Sequence, residues 1–144
     1  MANTAVLPLF DVEIQPRWAD QDPMGHINHV QYFRYLEEAR VQWIVDSNLG
    51  ATSSAGQFGM IMANIGLNFR KEWHHPGALR ATAYVTNIGN TSFRLQQYLH
   101  AADSGDLVAE GEATLVWVDM KSHKPEPLHD EIRVLLKRHQ LAVG

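Results

Sequence analysis

The feature that most constrains the fold of this chain is a strand that runs through a tight turn into one long amphipathic helix. From Phe10 to Trp18 apolar and polar residues alternate, as in a half-buried strand. This alternation predicts a buried strand face made of Phe10, Val12, Ile14 and Trp18. Because Pro16 has no backbone donor, we expect it at an edge or a bulge.

The helical pattern starts after Asn28, which is a typical N-cap residue. Gln31, three residues later, can complete a capping box, and Gly50 is placed to end the helix. At 100° per residue, one apolar stripe contains Tyr32, Tyr35, Leu36, Ala39 and Trp43, widened by Phe33 and Ile44. Glu37 can form an ion pair with Arg40 beside this stripe. So broad a stripe predicts packing against a large apolar surface.

Four further strands are predicted with no second long helix among them. They span about 60–70, 79–88, 93–100 and 107–119, and the first places Ala63, Ile65, Leu67 and Phe69 on one face. Turns at 87–90 and 103–106 indicate antiparallel hairpins. After Pro127, the spacing of Leu128, Ile132, Leu135 and Leu136 predicts a short C-terminal helix.

These elements predict a single α+β domain over residues 1–144. Five or six antiparallel strands most economically wrap around the one long helix. Because such a sheet has unpaired edges, we expect association into a homodimer or a larger homo-oligomer.

Composition excludes several classes of protein. The formal charge of −4 argues against nucleic acid or an anionic membrane as a partner. The absence of cysteine excludes a thiol nucleophile, disulfides and cysteine-bound metals. The first residues lack the features of a signal peptide, and no stretch is apolar enough to span a membrane. We therefore expect a cytoplasmic protein.

The turn before the long helix is the best place for a reacting group. Backbone N–H groups of a first helical turn lack partners and attract negative charge. Asp22 lies just upstream of them, and Gly25 can take a backbone angle that other residues avoid. Asp20 is the rival carboxylate, since continued strand alternation would point it to the same side as Asp22.

Two stretches then carry a family resemblance. Residues 17–32, RWADQDPMGHINHVQY, and 36–40, LEEAR, resemble the hot-dog-fold acyl-CoA thioesterases. Within them the chain is most similar to the 4-hydroxybenzoyl-CoA thioesterase type and its long-chain acyl-CoA relatives. Residues 85–93 and 116–119 give weaker support. The resemblance implies a hot-dog fold and hydrolysis of a thioester of coenzyme A, or of acyl carrier protein, by a homodimer or homotetramer.

The resemblance also implies roles for individual residues. Asp22 matches the catalytic acid, the backbone N–H that polarises the thioester carbonyl falls at about His29, and Gly25 lies in the supporting turn. The carboxylate can attack as a nucleophile or activate water as a general base, and the sequence leaves both routes open. No cofactor is expected, because coenzyme A is part of the substrate.

The sequence defines the substrate-binding residues less precisely than the catalytic ones. His26 can line the site, and an acyl pocket in this fold would border Tyr32. Thr91 and Ser92 lie where the family has a similar turn, but a basic cluster that some members carry there is absent. Arg70, with Lys71, Lys121 and Lys124, is therefore a candidate for contacting the phosphates of coenzyme A.

Two alternatives remain open from the sequence. The first is a non-catalytic protein of the same fold that binds acyl-CoA or acyl carrier protein. The second is a metal-dependent hydrolase that uses His26, His29 and the His74–His75 pair, although two spaced histidines are a weak metal signal and we expect no metal. The acyl group itself is not predicted.

Overall fold

Six antiparallel strands curl around one long helix in the computed structural model, which describes residues 6–47 and 58–142. The strands are β1 (Phe10–Ile14), β2 (Phe58–Ile65), β3 (Asn68–Phe69), β4 (Leu79–Ile88), β5 (Ser92–Ala101) and β6 (Leu107–Asp119). The helices are α1 (His29–Asp46) and α2 (Asp130–Lys137). The strand order is β1-β4-β5-β6-β2, and β3 pairs with β6 beside β2.

The apolar stripe of α1 forms the centre of the core. Its predicted members Tyr32, Tyr35, Leu36, Ala39 and Trp43 are all buried, against the inward residues of β4, β5 and β6. In α2, Ile132 and Leu136 are buried as well. The predicted α+β hot-dog fold is confirmed. Within the described ranges, no helix is both long and apolar enough to cross a membrane.

The first strand is shorter than predicted. β1 ends at Ile14, and Trp18 lies in a 3₁₀ turn (Trp18–Asp20) with 74% of its side chain exposed. The prediction of an inward Trp18 is therefore wrong. Pro16 gives the physical reason, because a residue without an N–H cannot extend a ladder of hydrogen bonds.

The second predicted strand is divided in two. A β-bulge between Met62 and Asn64 shifts the alternation, so that Ala63 is exposed instead of facing the core. The strand then breaks after Ile65, where Gly66 crosses closely over Gly111; a Cβ on Gly111 would collide with the Gly66 backbone. The bulge and this close contact explain why uniform alternation over 60–70 was wrong.

Two polar predictions for α1 also need correction. Asn28 caps the helix as predicted, but no capping box forms, and the Oε1 atom of Gln31 is buried without a hydrogen-bond partner in the described residues. Arg40 is buried and donates to Oε1 of Gln97 at 2.9 Å, and no ion pair joins it to Glu37 in the described part of the chain. The proposed terminator Gly50 lies outside the described residues.

Candidate functional site

The loop from Asp20 to Asn28 is closed at its base by a hydrogen bond between its two ends. The Asn28 amide donates to the Asp20 carbonyl oxygen at 3.0 Å, and the Asp22 amide donates to the His26 carbonyl oxygen at 3.0 Å. Gly25 has a φ of 88°, in the left-handed region, as predicted for this turn. The loop is therefore a small hairpin that leads directly into α1.

The Asp22 carboxylate is half-buried and bound only by neutral groups. Its Oδ1 accepts from the Met24 amide at 2.9 Å, and its Oδ2 lies 3.5 Å from Nδ2 of Asn28. The second contact is at the outer limit of a hydrogen bond. No ion pair within the described residues involves this carboxylate. Oδ2 therefore has the capacity to accept a proton or to attack an electrophile.

The first backbone amide of α1 has no acceptor among the residues that the structure describes. Asn28 accepts from the Val30 amide at its Oδ1, 3.0 Å away, and from the Gln31 amide at its carbonyl oxygen, 2.9 Å away. The His29 amide donates to no group among the described residues. Since the start of a helix favours negative charge, this amide is suited to an anionic oxygen.

Asp22 and His29 line the same cleft, which has a volume of about 390 Å³. The lining residues are Asp22, His26, Ile27, His29, Tyr32, Phe69, Arg70, Lys71 and Glu72. The predicted catalytic and binding positions Asp22, His26, His29, Tyr32 and Arg70 are thus brought together by the fold.

Aromatic rings form one wall of this cleft. The Phe69 ring is 46% exposed and lies 5.4 Å from the Tyr32 ring and 6.0 Å from the His29 ring, between centroids. Burial raises the pKa of Tyr32, and the negative charges of Glu72 and Asp22 act in the same direction. Tyr32 therefore stays protonated at neutral pH.

Trp73 and His74 hold the loop from outside, a role that the sequence did not suggest. The Ile27 amide donates to the Trp73 carbonyl oxygen at 2.7 Å, and Nδ1 of His74 lies 2.8 Å from the Gly25 carbonyl oxygen. Because a carbonyl oxygen only accepts, Nδ1 of His74 carries the proton. The high aromatic content of residues 73–75 was the available signal, but in the sequence the His74–His75 pair suggested only metal ligands.

Asp20 and Asp22 do not face the same side. Asp20 is only 2% exposed and, together with Tyr35, lines a second cleft of about 370 Å³ that does not include Asp22. The prediction that both carboxylates point to one side is wrong, because the chain has left the strand and turns through a 3₁₀ helix at this point.

The basic residues near the cleft are held by acidic partners. Nε of Arg70 lies 3.0 Å from Oε2 of Glu110, and Nζ of Lys71 lies 2.8 Å from Oδ2 of Asp106. The side chains of Arg70, Lys71 and Asp106 are about half exposed and that of Glu110 is 26% exposed, and solvent-exposed pairs are weak. Arg70 and Lys71 can therefore exchange these partners for phosphate oxygens at little cost.

Within a single chain, Thr91 and Ser92 lie away from the cleft that contains Asp22. They stand at the β4–β5 turn, whereas the cleft residues 69–72 precede the opposite end of β4, and neither lines the cleft. Arg133 donates to the carbonyl oxygens of Gly89 and Asn90 in this turn, at 2.8 and 3.0 Å. Within one chain, the turn contacts the C-terminal helix and not Asp22.

The histidines do not gather into a metal site. The His26 and His74 rings are 6.0 Å apart between centroids. No group of three or more histidine, aspartate or glutamate side chains in the described ranges is arranged to hold a metal ion. The histidines instead make ring contacts and bonds to the backbone.

Comparison with known proteins finds thioesterases of similar sequence and fold. The long-chain acyl-CoA thioesterase FadM of Escherichia coli strain K12 is 27% identical over 126 residues, which cover 88% of this chain and 96% of FadM. The solved PA2801 protein of Pseudomonas aeruginosa superposes with a TM-score of 0.81 at 30% identity, covering 88% of this chain and 97% of that one.

A more distant solved structure shares the fold. Slr0204, a 1,4-dihydroxy-2-naphthoyl-CoA thioesterase from Synechocystis, has a TM-score of 0.78 at 22% identity, covering 89% of this chain and 95% of that one.

Residues 16–136 match the sequence profile of the thioesterase-like superfamily. Because this match spans most of the chain, the protein belongs to the thioesterase-like superfamily.

Proposed function

We propose that the protein is an acyl-CoA thioesterase that hydrolyses its substrate to a free acid and coenzyme A. The observation that carries this proposal is that one cleft is lined by Asp22 and by His29, whose backbone amide donates to no group among the described residues. Membership of a thioesterase family and similarity to FadM support the reaction type.

The chemistry of a thioester matches these two groups. As the carbonyl carbon is attacked, negative charge develops on its oxygen, and the His29 amide at the start of α1 stabilises that charge. The leaving thiol has a pKa of about 8.5, by analogy with cysteine, so the thiolate departs without a dedicated acid.

Asp22 supplies the remaining requirement in one of two ways. As a nucleophile, its Oδ2 attacks the carbonyl carbon, the thiolate leaves, and water hydrolyses the resulting anhydride. As a general base, the carboxylate takes a proton from water while the water oxygen attacks the same carbon. Its lack of a cationic partner in the described residues is compatible with both routes.

We assign the parts of the substrate to the cleft walls by the chemistry of the lining residues. One wall is an aromatic and apolar surface made by Tyr32, Phe69 and the His26 ring. This surface suits the part of the substrate next to the thioester. Arg70 and Lys71, at the same cleft, are the basic groups available to coenzyme A phosphates. Gly25 keeps the loop that carries Asp22 in its tight conformation.

We place the active unit in a homodimer, with a tetramer as a pair of such dimers. β2 is an outer strand of the sheet, and its Ile61 is 45% exposed, so a second copy can continue the sheet there. Such an assembly is also the way in which Thr91 and Ser92, remote from Asp22 within one chain, can take part in substrate binding.

The test is turnover of a panel of aliphatic and aromatic acyl-CoA thioesters, followed with a thiol-detecting reagent. We expect release of coenzyme A from at least one class, no loss of rate with a chelator, and a fall in kcat of about 100-fold or more in Asp22→Asn. Binding without turnover in the wild type would instead show a non-catalytic acyl-CoA-binding protein. Inactivation by chelator with recovery on adding zinc would show a metal-dependent hydrolase.

A further inference from the structure

Asp20 is a buried carboxylate for which the proposed reaction has no direct use. It is 2% exposed, and burying a charge is costly unless it is fully paired and hydrogen-bonded. Asp20 meets that condition. Its Oδ1 accepts from Nε and Nη2 of Arg17 at 3.0 and 2.8 Å, and its Oδ2 accepts from the Arg17 amide at 2.9 Å and from the Tyr35 hydroxyl at 2.6 Å.

These bonds keep Asp20 ionised. Burial alone raises the pKa of Asp20, but the hydrogen bonds from Tyr35 and Arg17 outweigh it and leave the pKa below its usual value. The short Tyr35–Asp20 bond is of the charge-assisted type, which is stronger than a neutral hydrogen bond. Asp20 is therefore held as an anion by four hydrogen bonds from Arg17 and Tyr35.

The same residue holds both ends of the reactive loop. Through its side chain, Asp20 is tied to Tyr35, nearly two turns inside α1, and to Arg17 after β1. Through its carbonyl oxygen it is tied to Asn28, whose side chain caps α1 and lies beside Asp22. The loop that carries Asp22 is thus fixed relative to the helix start that carries the free His29 amide.

We infer that Asp20 and Tyr35 are positioning residues, which set the distance and angle between the Asp22 carboxylate and the His29 amide. They do not contact substrate, because they line a separate cleft with Arg34, Glu37 and Glu38. This inference rests on the proposed function of Asp22. Hydrolysis is sensitive to such placement, since an error of about 1 Å in a reacting group can lower a rate by about 100-fold.

Tyr35→Phe is the sharpest variant, because it removes one donor and keeps the buried ring. We expect kcat to fall by about 10-fold or more, with KM within about two-fold, while the folded fraction from denaturant unfolding remains near unity at the assay temperature. Asp20→Asn should give the same loss in kcat, again with little change in KM.

Asp11→Asn is the matched control, because Asp11 accepts two similar bonds from Arg80 on the outside of the sheet, at 2.7 and 3.0 Å. Its kcat should equal that of the wild type.

A double variant separates positioning from general stability. If Tyr35 acts by positioning Asp22, the hydroxyl matters only while Asp22 is present. The double variant Tyr35→Phe, Asp22→Asn should then differ in rate from Asp22→Asn alone by less than about two-fold. An equal loss in both backgrounds, or an unchanged kcat in folded Tyr35→Phe, would overturn the positioning role and leave the proposed function standing. Wild-type activity in Asp22→Asn would instead overturn the proposed function itself.

Discussion

Asp22 is placed by its own loop. The Met24 amide binds one carboxylate oxygen, and the turn that brings this amide into position depends on the left-handed angle of Gly25. Asn28 accepts from the amides of Val30 and Gln31, whereas the His29 amide, like any first amide of a helix, has no intrahelical acceptor and donates to no group in the described part of the chain. At the scale of single residues, the candidate chemistry therefore depends on a carboxylate, one backbone N–H and the loop that joins them.

The role of the His29 amide can be tested without removing the helix. Proline is well tolerated as the first residue of a helix, and Asn28 already has the extended backbone that precedes a proline. His29→Pro should therefore fold but lack the donor, and we expect kcat to fall by about 100- to 1,000-fold. His29→Ala keeps the amide and should retain kcat within about 10-fold, its loss reflecting only the ring contact with Phe69. Steady-state kinetics and circular dichroism of both variants make the measurement, and equal kcat values would rule out the amide as a donor.

The left-handed glycines provide a matched pair for the loop. Gly25 and Gly105 have φ values of 88° and 79°, and a Cβ would meet nothing within 4 Å at either site. Each substitution to alanine should cost about 1 kcal/mol of unfolding free energy, because only the backbone angle is unfavourable. Only Gly25→Ala should also lower kcat, since Gly105 does not line the cleft and its neighbour Asp106 reaches the cleft only through the exposed pair with Lys71. Similar kcat values for the two variants would show that the Gly25 turn does not position Asp22.

Sequence reasoning identified the local features of the site and missed the distant ones. The N-cap Asn28 and the turn at Gly25 were predictable because their causes lie within a few residues of each other. The contacts of Trp73 and His74 with the loop were not, because they join positions about 50 residues apart. The relative direction of Asp20 and Asp22 was mispredicted because a 3₁₀ turn replaced the strand pattern.

At the scale of elements, α1 is joined to the sheet by a buried polar contact as well as by apolar packing. Arg40 projects into the helix–sheet interface and donates to Gln97 of β5, which is fully buried. Burial lowers the pKa of Arg40, although the negative charge of Glu37 opposes this effect. The Nε2 atom of Gln97 has no hydrogen-bond partner among the described residues. The contact is thus one strong bond with an unsatisfied amide beside it.

Replacing one member of this pair should be worse than replacing both. Gln97→Leu leaves the buried Arg40 without its acceptor and should lower the free energy of unfolding by about 2 kcal/mol. The double variant Arg40→Met, Gln97→Leu should recover most of that loss, because apolar residues of similar size remove both buried polar groups. Urea unfolding of the wild type, of Arg40→Met and Gln97→Leu singly, and of the double variant gives the comparison. Additive losses in the double variant would show that the Arg40–Gln97 bond contributes little.

Element type was more predictable than element length. Alternation identified β4, β5 and β6 and their hairpins, because each has one fully buried face. The bulge at Met62 and the crossing of Gly66 over Gly111 depend on contacts between separate strands. Local alternation contains no information about such contacts, so the division of the second strand was not predicted.

At the scale of the whole molecule, the described sheet has β1 at one edge and β2, followed by the short β3, at the other. The cleft contains residues from the loop before α1 and from the segment after β3, beside the β2 side of the sheet. The turn with Thr91 and Ser92 lies at the other end of β4. A second copy added at β2 is therefore the simplest arrangement that brings this turn to a cleft.

The dimer can be tested with one substitution on the β2 surface. Ile61→Glu places a charge on an exposed apolar position, and two copies would bring like charges to one interface, so we expect a monomer in light scattering after gel filtration. Val134→Glu is the control, since Val134 is similarly exposed on α2, and it should elute as the wild type does. A wild-type protein that is monomeric at assay concentrations would contradict the dimer.

The central claim is that a thioester carbonyl sits between the Asp22 carboxylate and the His29 amide. A crystal structure of Asp22→Asn with a bound acyl-CoA measures this directly. The account predicts the thioester oxygen at about 3 Å from the His29 nitrogen, with the carbonyl carbon facing the side chain at position 22. An acyl-CoA bound with its thioester outside this cleft, or with its oxygen turned away from the His29 amide, would contradict the account.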